Sequence, residues 1–402
     1  MGFTKYGVGL VSALLVSGIA SAPAQAHASA PAGSPQAETN DTSDTTDTTD
    51  SSNGTCTPLK ATHTRLIGAD GQTVSGSDFA AVGVQTAKEL TYTLPDGATM
   101  STIIPPAGFL PQNSTPETAR AFGFDVPDEP DGPALTSAMQ ETYKDYKFTV
   151  PSVPCIGTQP ISSPLQPATA DATAGVDNSA ETDPTFAVNS GNWGGFVANG
   201  HSNYVQVYDD QNIPTYQSNC GSASQTLVGT WIGLGGLNSS KLIQQGFASG
   251  SSSTAITGAR LWYEYLNSSH PNPPVYIGST TRTGDIISES MTYSAGNVTF
   301  HWYDRSNGQA WSDVHVSGLT SYYDGTTADF ISERPAGFKL RSFTPYQGFD
   351  GSGAKYASTY KDLFSLPNTE VRLINASKDK MMSSTRVGSS TKAFRQTHLL
   401  CS

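Results

Sequence analysis

Beyond Pro184 apolar and polar residues alternate in short runs, YVQVYDD, ARLWYEYL, ISESMTYS, NVTFHWYD, DVHVSGL and EVRLINA, each broken off by Gly, Asn, Ser or Pro. A two-residue period sends successive side chains to opposite faces of a strand, so these runs predict half-buried strands. Almost no stretch of useful length carries the 3.6-residue period of a helix. Turn chemistry agrees: AGN joins MTYS to VTFHW, and RSNGQ, with its Asn-Gly step, joins HWYD to AWSDV. Strand signals at this spacing over about 220 residues predict one all-β domain, an antiparallel sandwich or barrel.

The amino-terminal part has another texture. Lys5, an apolar run from Val8 to Ile19 and small residues ending Ala24, Gln25, Ala26 follow the order of a secretory signal, so a signal peptide at 1–26 and an extracellular, secreted product are expected. The run falls short of the roughly 20 residues that span a bilayer, and no membrane partner is expected. Residues 27–55, centred on TSDTTDTTDSS, hold too little apolar surface to fold. Residues 56–161 predict a small α+β module, with strands in LTYTLPDGATMSTIIPPAGFL and helices in TPETARAFGF and ALTSAMQETYKDY. Residues 162–182, rich in Pro, Ala, Thr and Asp, read as an exposed linker within reach of a processing protease. The β domain then runs from 183 to 402.

Charge and cysteines sharpen this division. Through Thr182 seven Lys and Arg stand against nineteen Asp and Glu, and the remaining fifteen of each cancel, so the whole formal charge of -12 lies in the amino-terminal part. No basic stripe is present to hold nucleic acid. Four cysteines, Cys56, Cys155, Cys220 and Cys401, suit an oxidising compartment, and three pairings are open to them. Cys56 with Cys155 and Cys220 with Cys401 keeps each bridge within one half of the chain and is the pairing we favour.

Six segments occur in order in the carboxyl half: NWGGF at Asn192–Phe196, TWIGLGG at Thr230–Gly236, LIQQG at Leu242–Gly246, LWYEY at Leu261–Tyr265, GDIIS at Gly284–Ser288 and ADFISERP at Ala328–Pro335. In this order they resemble the glutamic endopeptidases, or eqolisins, from roughly Phe186 onward. The resemblance implies a sandwich of two antiparallel sheets, concanavalin-like or of jelly-roll type, whose concave side holds a peptide. It also implies a catalytic pair, Gln244 and Glu333, with Trp231, Trp193, Glu264 and Tyr263 in supporting or substrate-binding places. No cofactor or metal is implied. The implied partners are protein and peptide substrates, with the propeptide at 27–182 as an intramolecular inhibitor of a zymogen, and a monomer is expected.

The chemistry can be stated from the residues themselves. A carboxylate accepts a proton from a water as that water attacks a carbonyl, and a primary amide donates to the oxyanion that forms. A glutamate of ordinary pKa, about 4.3, is still partly ionised in mild acid, so acid operation is expected. Taken singly, Glu333 is equally a surface carboxylate beside Arg334, whose charge would favour its ionised form. Gln244 and Gln245 are equally structural amides, and alternation sets the two on opposite faces. Trp193 and Trp231 are equally core aromatics. Asp285 reads as a turn residue. Where fungal members of the family carry an aspartate after a WVGI-like run, this chain has Gly235, which leaves the tuning of the pair to another group.

Other reactions fit less well. A glycan-active sandwich, lectin or two-carboxylate glycosidase, would draw on Glu264, Glu289 and Glu333 but would be indifferent to Gln244. GFDGSG at Gly348–Gly353 is not the G-x-S-x-G of a serine hydrolase and reads as a turn. His201, His270, His301 and His315 form no HExxH and read as satisfied polar residues. No Asp-Thr-Gly or Asp-Ser-Gly is present, so pepstatin-insensitive action is expected. The acid concentrated before Thr182 suggests that acidification alters the contacts covering the groove and exposes the linker. Trp and Tyr along the groove suggest bulky or aromatic side chains in the substrate.

Overall fold

The computed structural model describes residues 56–74, 86–124, 126, 140, 143–148, 153–158, 160–163, 165, 186–222, 224–237, 239–250, 258–270, 272–311 and 313–402. The expected signal peptide, the tail at 27–55, most of the 134–146 helix and residues 166–185 lie outside these. The fold is nearly all β, with 6% helix, and its two large sheets form a sandwich.

The first sheet carries strands in the order Cys56–Pro58, Cys155–Gly157, Val275–Thr280, Arg260–Leu266, Leu242–Gly250, Thr226–Gly235, Ala328–Glu333, Trp193–Ala198, Asn368–Leu373 and Phe186–Ser190. The second runs His63–Ile67, Ala87–Thr93, Thr99–Ile104, Val314–Ser317, Asn297–Asp304, Ile286–Ser294, Tyr204–Asn212, Gln347–Phe349, Phe394–His398 and Met382–Arg386. Neighbours along these paths are antiparallel except Phe186–Ser190, which lies parallel to Asn368–Leu373.

Burial differs between the sheets, and this difference locates the site. Ile286–Ser294 in the second sheet alternates buried and accessible residues, as an antiparallel strand with one wet face should. In the first sheet every residue of Thr226–Gly235, Leu242–Gly250 and Ala328–Glu333 is buried. One face of these strands meets the second sheet through Ile232, Ile243, Phe247, Tyr263 and Phe330 against Met291, Phe300 and Trp302. The other face carries Trp193, Trp231, Trp262, Leu242 and Ile331, and Ile161 packs into that cluster.

The amino-terminal strands do not build a sheet of their own. Cys155–Gly157 pairs with Val275–Thr280 and carries Cys56–Pro58 outside it, extending the first sheet. Thr99–Ile104 pairs with Val314–Ser317 and extends the second. The expected helix in TPETARAFGF forms at Pro116–Ala121, where Thr115 caps by accepting from the Thr118 amide and Pro116 fills the first turn. It supports an aromatic cluster of Phe109, Phe122, Phe124, Tyr143 and Tyr146 that packs on Tyr303 of the second sheet. Disulfides join Cys56 to Cys155 and Cys220 to Cys401, with Cα separations of 5.5 and 5.3 Å.

The expected linker at 162–182 is corrected at its first residue, since Ser162 is only 4% exposed; from 166 onward it lies outside the described residues. Composition registers the polarity of this segment and misses the buried carboxylates that satisfy it.

Candidate active site

Three strands bring the candidate groups together by register. Gln244 sits opposite Gly233 on one side and Glu264 on the other. Glu333, the last residue of its strand, sits opposite Gly229 and Trp193. Trp231 lies two residues from both Gly229 and Gly233 and so shares their face. Gln244, Glu264, Glu333, Trp231 and Trp193 therefore line one surface of the first sheet, all buried. The rings of Trp193 and Trp231 meet edge to face with centroids 4.9 Å apart.

Glu333 is held by four donors. Trp231 Nε1 donates to Oε2 at 3.2 Å and Asn192 Nδ2 to Oε1 at 3.1 Å. The other two come from the segment lying over it: the Ser162 hydroxyl donates to Oε2, and the Ser163 amide to Oε1 at 3.2 Å. Burial pushes the Glu333 carboxyl up to about 7, although all four donors favour its ionised form.

Glu264 accepts the Ile161 amide at 3.2 Å, the Ser162 amide at 3.0 Å and Gln244 Nε2 at 2.8 Å. Burial, and then the charge of Glu333, push its carboxyl well above the usual range. Gln244 Oε1 has no partner among the described residues. The amide is thus fixed through its bond to Glu264, with its carbonyl left unpaired on the groove face of the sheet.

Asn192 was not anticipated as a site residue. Its Nδ2 reaches Glu333 and also the Ser163 carbonyl at 3.2 Å, which Trp193 Nε1 holds at 3.1 Å as well. Ser190 Oγ donates to Asn192 Oδ1 at 2.8 Å and fixes the side chain. The signal was present in NWGGF, but an Asn before a Trp gives no hint of which carboxylate lies across the sheet.

Other expected residues fall elsewhere. Tyr263 is corrected: it pairs with Gln245, faces the second sheet and stacks on Phe300 at 4.6 Å, because alternation sets it opposite its neighbour Glu264. Gln245 turns the same way and donates to the His301 carbonyl at 2.9 Å. Glu289 is buried among inter-sheet residues on the second sheet and is no partner for Glu333. Arg334 does not favour the ionised form of Glu333 as expected, since its guanidinium turns to the Gly191 carbonyl at 2.7 Å. Asp285 caps its turn by accepting the Arg282 amide at 2.6 Å. His301 is buried and paired with Asp313 at 2.7 Å.

Gly235 explains its own departure from the family pattern. Its φ of +92° is one that other residues rarely adopt, and a Cβ there would lie 2.4 Å from the Lys241 carbonyl. The Asp324 carboxylate comes within 3.2 Å of that position, so an acid approaches this spot from another strand connection.

A buried carboxylate beside a primary amide, under a groove walled by tryptophan, can take a proton from water and donate to a developing oxyanion. The model of the Peptidase A4 family matches residues 191–395. No curated protein matches the chain. Among solved structures, scytalido-glutamic peptidase with a peptide-based transition state analog is 19% identical with a TM-score of 0.42, and the same peptidase with a transition state analog inhibitor is 20% identical with 0.43. SCP-B, a member of the eqolisin family, in a complex with the tripeptide Ala-Ile-His is 19% identical with 0.41. Each comparison covers 52% of this chain and 98% of the other. With half its length matched, from before Asn192 to beyond Glu333, the chain belongs to the Peptidase A4 family, the eqolisins, and is a glutamic endopeptidase.

Proposed function

We propose that the chain is a secreted, acid-acting endopeptidase made as a zymogen, in which Glu333 activates the attacking water and Gln244 steadies the oxyanion. The observation that supports this reading is the segment Ile161–Ser163, whose amides and one hydroxyl donate to both Glu264 and Glu333, as a bound peptide and water would in this reading. Glu333 then returns the proton to the leaving amine. Glu264 holds the Gln244 amide in position, and Trp231 and Asn192 aim the Glu333 carboxylate.

The same contacts suggest how acid releases the groove. As pH falls through about 7, protonation of Glu333 weakens its charge-assisted bonds to Ser162 and Ser163 and with them the segment's hold. Once it leaves, water reaches Glu333 and its pKa falls toward the ordinary value of about 4.3, so a proton-accepting carboxylate is present in mild acid. The groove carboxyl that switches is thus Glu333, in addition to the acid concentrated before Thr182.

The test is cleavage of a denatured protein across about pH 2 to 7 in the presence of pepstatin, comparing acid-incubated wild type with Glu333→Gln and Gln244→Ala. Proteolysis lost in both variants supports the pair. Proteolysis that survives in both removes it.

A further inference from the structure

We infer that the groove contains a side-chain pocket selective for a branched aliphatic residue, with Gly229 as its floor and Trp231 and Trp262 as its walls, and that Gly229 sets its size. The inference rests on the reading that a peptide substrate follows the path of Ile161–Ser163, and it names the side chain that path selects.

The main-chain contacts of this segment are available to any peptide. Glu264 takes two successive amides, those of Ile161 and Ser162, and Asn192 Nδ2 and Trp193 Nε1 together hold the Ser163 carbonyl. They fix register and direction without reading sequence. The sequence-bearing contact is the Ile161 side chain, which sits within the Trp193, Trp231, Trp262 and Ile331 cluster. A Cβ added to Gly229 would lie 2.8 Å from Ile161 Cγ2, 3.7 Å from Trp262 Cζ2 and 3.8 Å from Trp231 Cδ1. The isoleucine therefore already rests against the backbone of Gly229, in the same cluster as the Trp231 and Trp262 indoles.

Gly229 is not a glycine that its backbone demands, since its φ lies outside the left-handed range, unlike that of Gly235. What it supplies is space. It also stands directly across the ladder from Glu333, so the pocket is one residue step from the candidate base. An aromatic side chain, which the tryptophans suggest from sequence alone, would have to displace an indole to enter. A residue smaller than valine would leave the space between the indoles unfilled. One methylene in such a pocket is worth about 10- to 200-fold in discrimination.

The experiment uses the full-length protein after acid incubation, digesting a mixed-sequence peptide library read by mass spectrometry, for wild type, Gly229→Ala and Glu333→Gln. Wild type is expected to enrich Ile, Val and Leu at one fixed distance from the cleaved bond. Gly229→Ala is expected to lose roughly 10- to 100-fold on peptides with isoleucine there while still cleaving those with alanine. No fixed-position enrichment in wild type, or an unchanged profile in Gly229→Ala, overturns the pocket while the loss of cleavage in Glu333→Gln leaves the catalytic reading standing. Cleavage by Glu333→Gln removes the catalytic reading itself. Should Gly229→Ala fail to fold, a synthetic peptide of residues 158–165 decides: replacing its isoleucine by alanine or tryptophan should each weaken inhibition of the wild type at least about tenfold, and equal inhibition overturns the pocket.

Discussion

Gln244 and Gln245 are neighbours in the chain, both fully buried, and both donate one side-chain N–H at similar distance, 2.8 Å to Glu264 and 2.9 Å to the His301 carbonyl. They differ in face. Gln244 ends on a second side chain that itself bonds the covering segment, whereas Gln245 ends on main chain of the opposite sheet and ties the sandwich together. The carboxylates repeat the contrast. Glu333 and Glu264 have four and three donors. Glu289, on the inter-sheet side, has no partner of good geometry, and Asp209 beside it gathers the Asp210 and Gly351 amides and the Ser352 hydroxyl on Oδ1 but leaves Oδ2 unpaired. Donors allow a buried acid to carry charge when needed, and their absence keeps an acid neutral. Burial raises the acids on both faces, but the groove gives Glu333 donors on both oxygens, while Glu289 has none of good geometry.

Breaking the contrast at the glutamines should give the largest effect. Gln244→Ala is expected to lower kcat by about 10²- to 10³-fold with little change in the urea midpoint, while Gln245→Ala leaves kcat within a few-fold and costs about 1–3 kcal/mol of stability. Equal effects of the two on kcat would erase the distinction between the faces.

The acids give the next largest effect, through pH. Burial raises Glu289 above its unfolded value, so the folded state holds the proton longer and stability falls as pH rises past the unfolded value of about 4.3. For Glu333 the same loss runs from that unfolded value to about 7. Glu289→Gln should therefore gain stability over wild type at neutral pH and much less in acid, measured as urea midpoints at both. A loss at both would show that Glu289 needs its charge.

Ser162→Ala removes one donor from Glu333 without touching the groove wall. It should speed acid activation of the full chain by about tenfold, the worth of a hydrogen bond to a charged group. An unchanged lag would take Ser162 out of the latch. Arg334→Ala, whose guanidinium points to Gly191, should change the pH profile of cleavage least, by less than about 0.3 pH units, where a cation acting on Glu333 would shift it by one or more.

Period-two alternation carried most of the fold and part of the site. It separated Gln244 from Gln245 correctly because side-chain direction is local, and the same rule places Tyr263 away from the groove once Glu264 is known to face it. What alternation cannot say is which face becomes the groove. That depends on the segment that comes to lie over it, and the partner of Ser162 is Glu333, 171 residues away. Asn192 was invisible for the same reason, since its role depends on a strand pairing from Trp193 to Glu333. Gly235 looked like a missing acid, but a positive φ and the approach of Asp324 are properties of the folded backbone alone.

The strands Val275–Thr280 and Val314–Ser317 owe one of their two neighbours to residues ahead of 166. Neither disulfide crosses from that part to the rest, so a cut between 165 and 186 leaves only hydrogen bonds and packing to keep those neighbours in place. Their departure opens two ladders of bare amides and carbonyls to whatever extended chain is near, including another copy. The trimmed form is therefore expected to show an average mass that climbs with concentration, and the uncut chain a constant one.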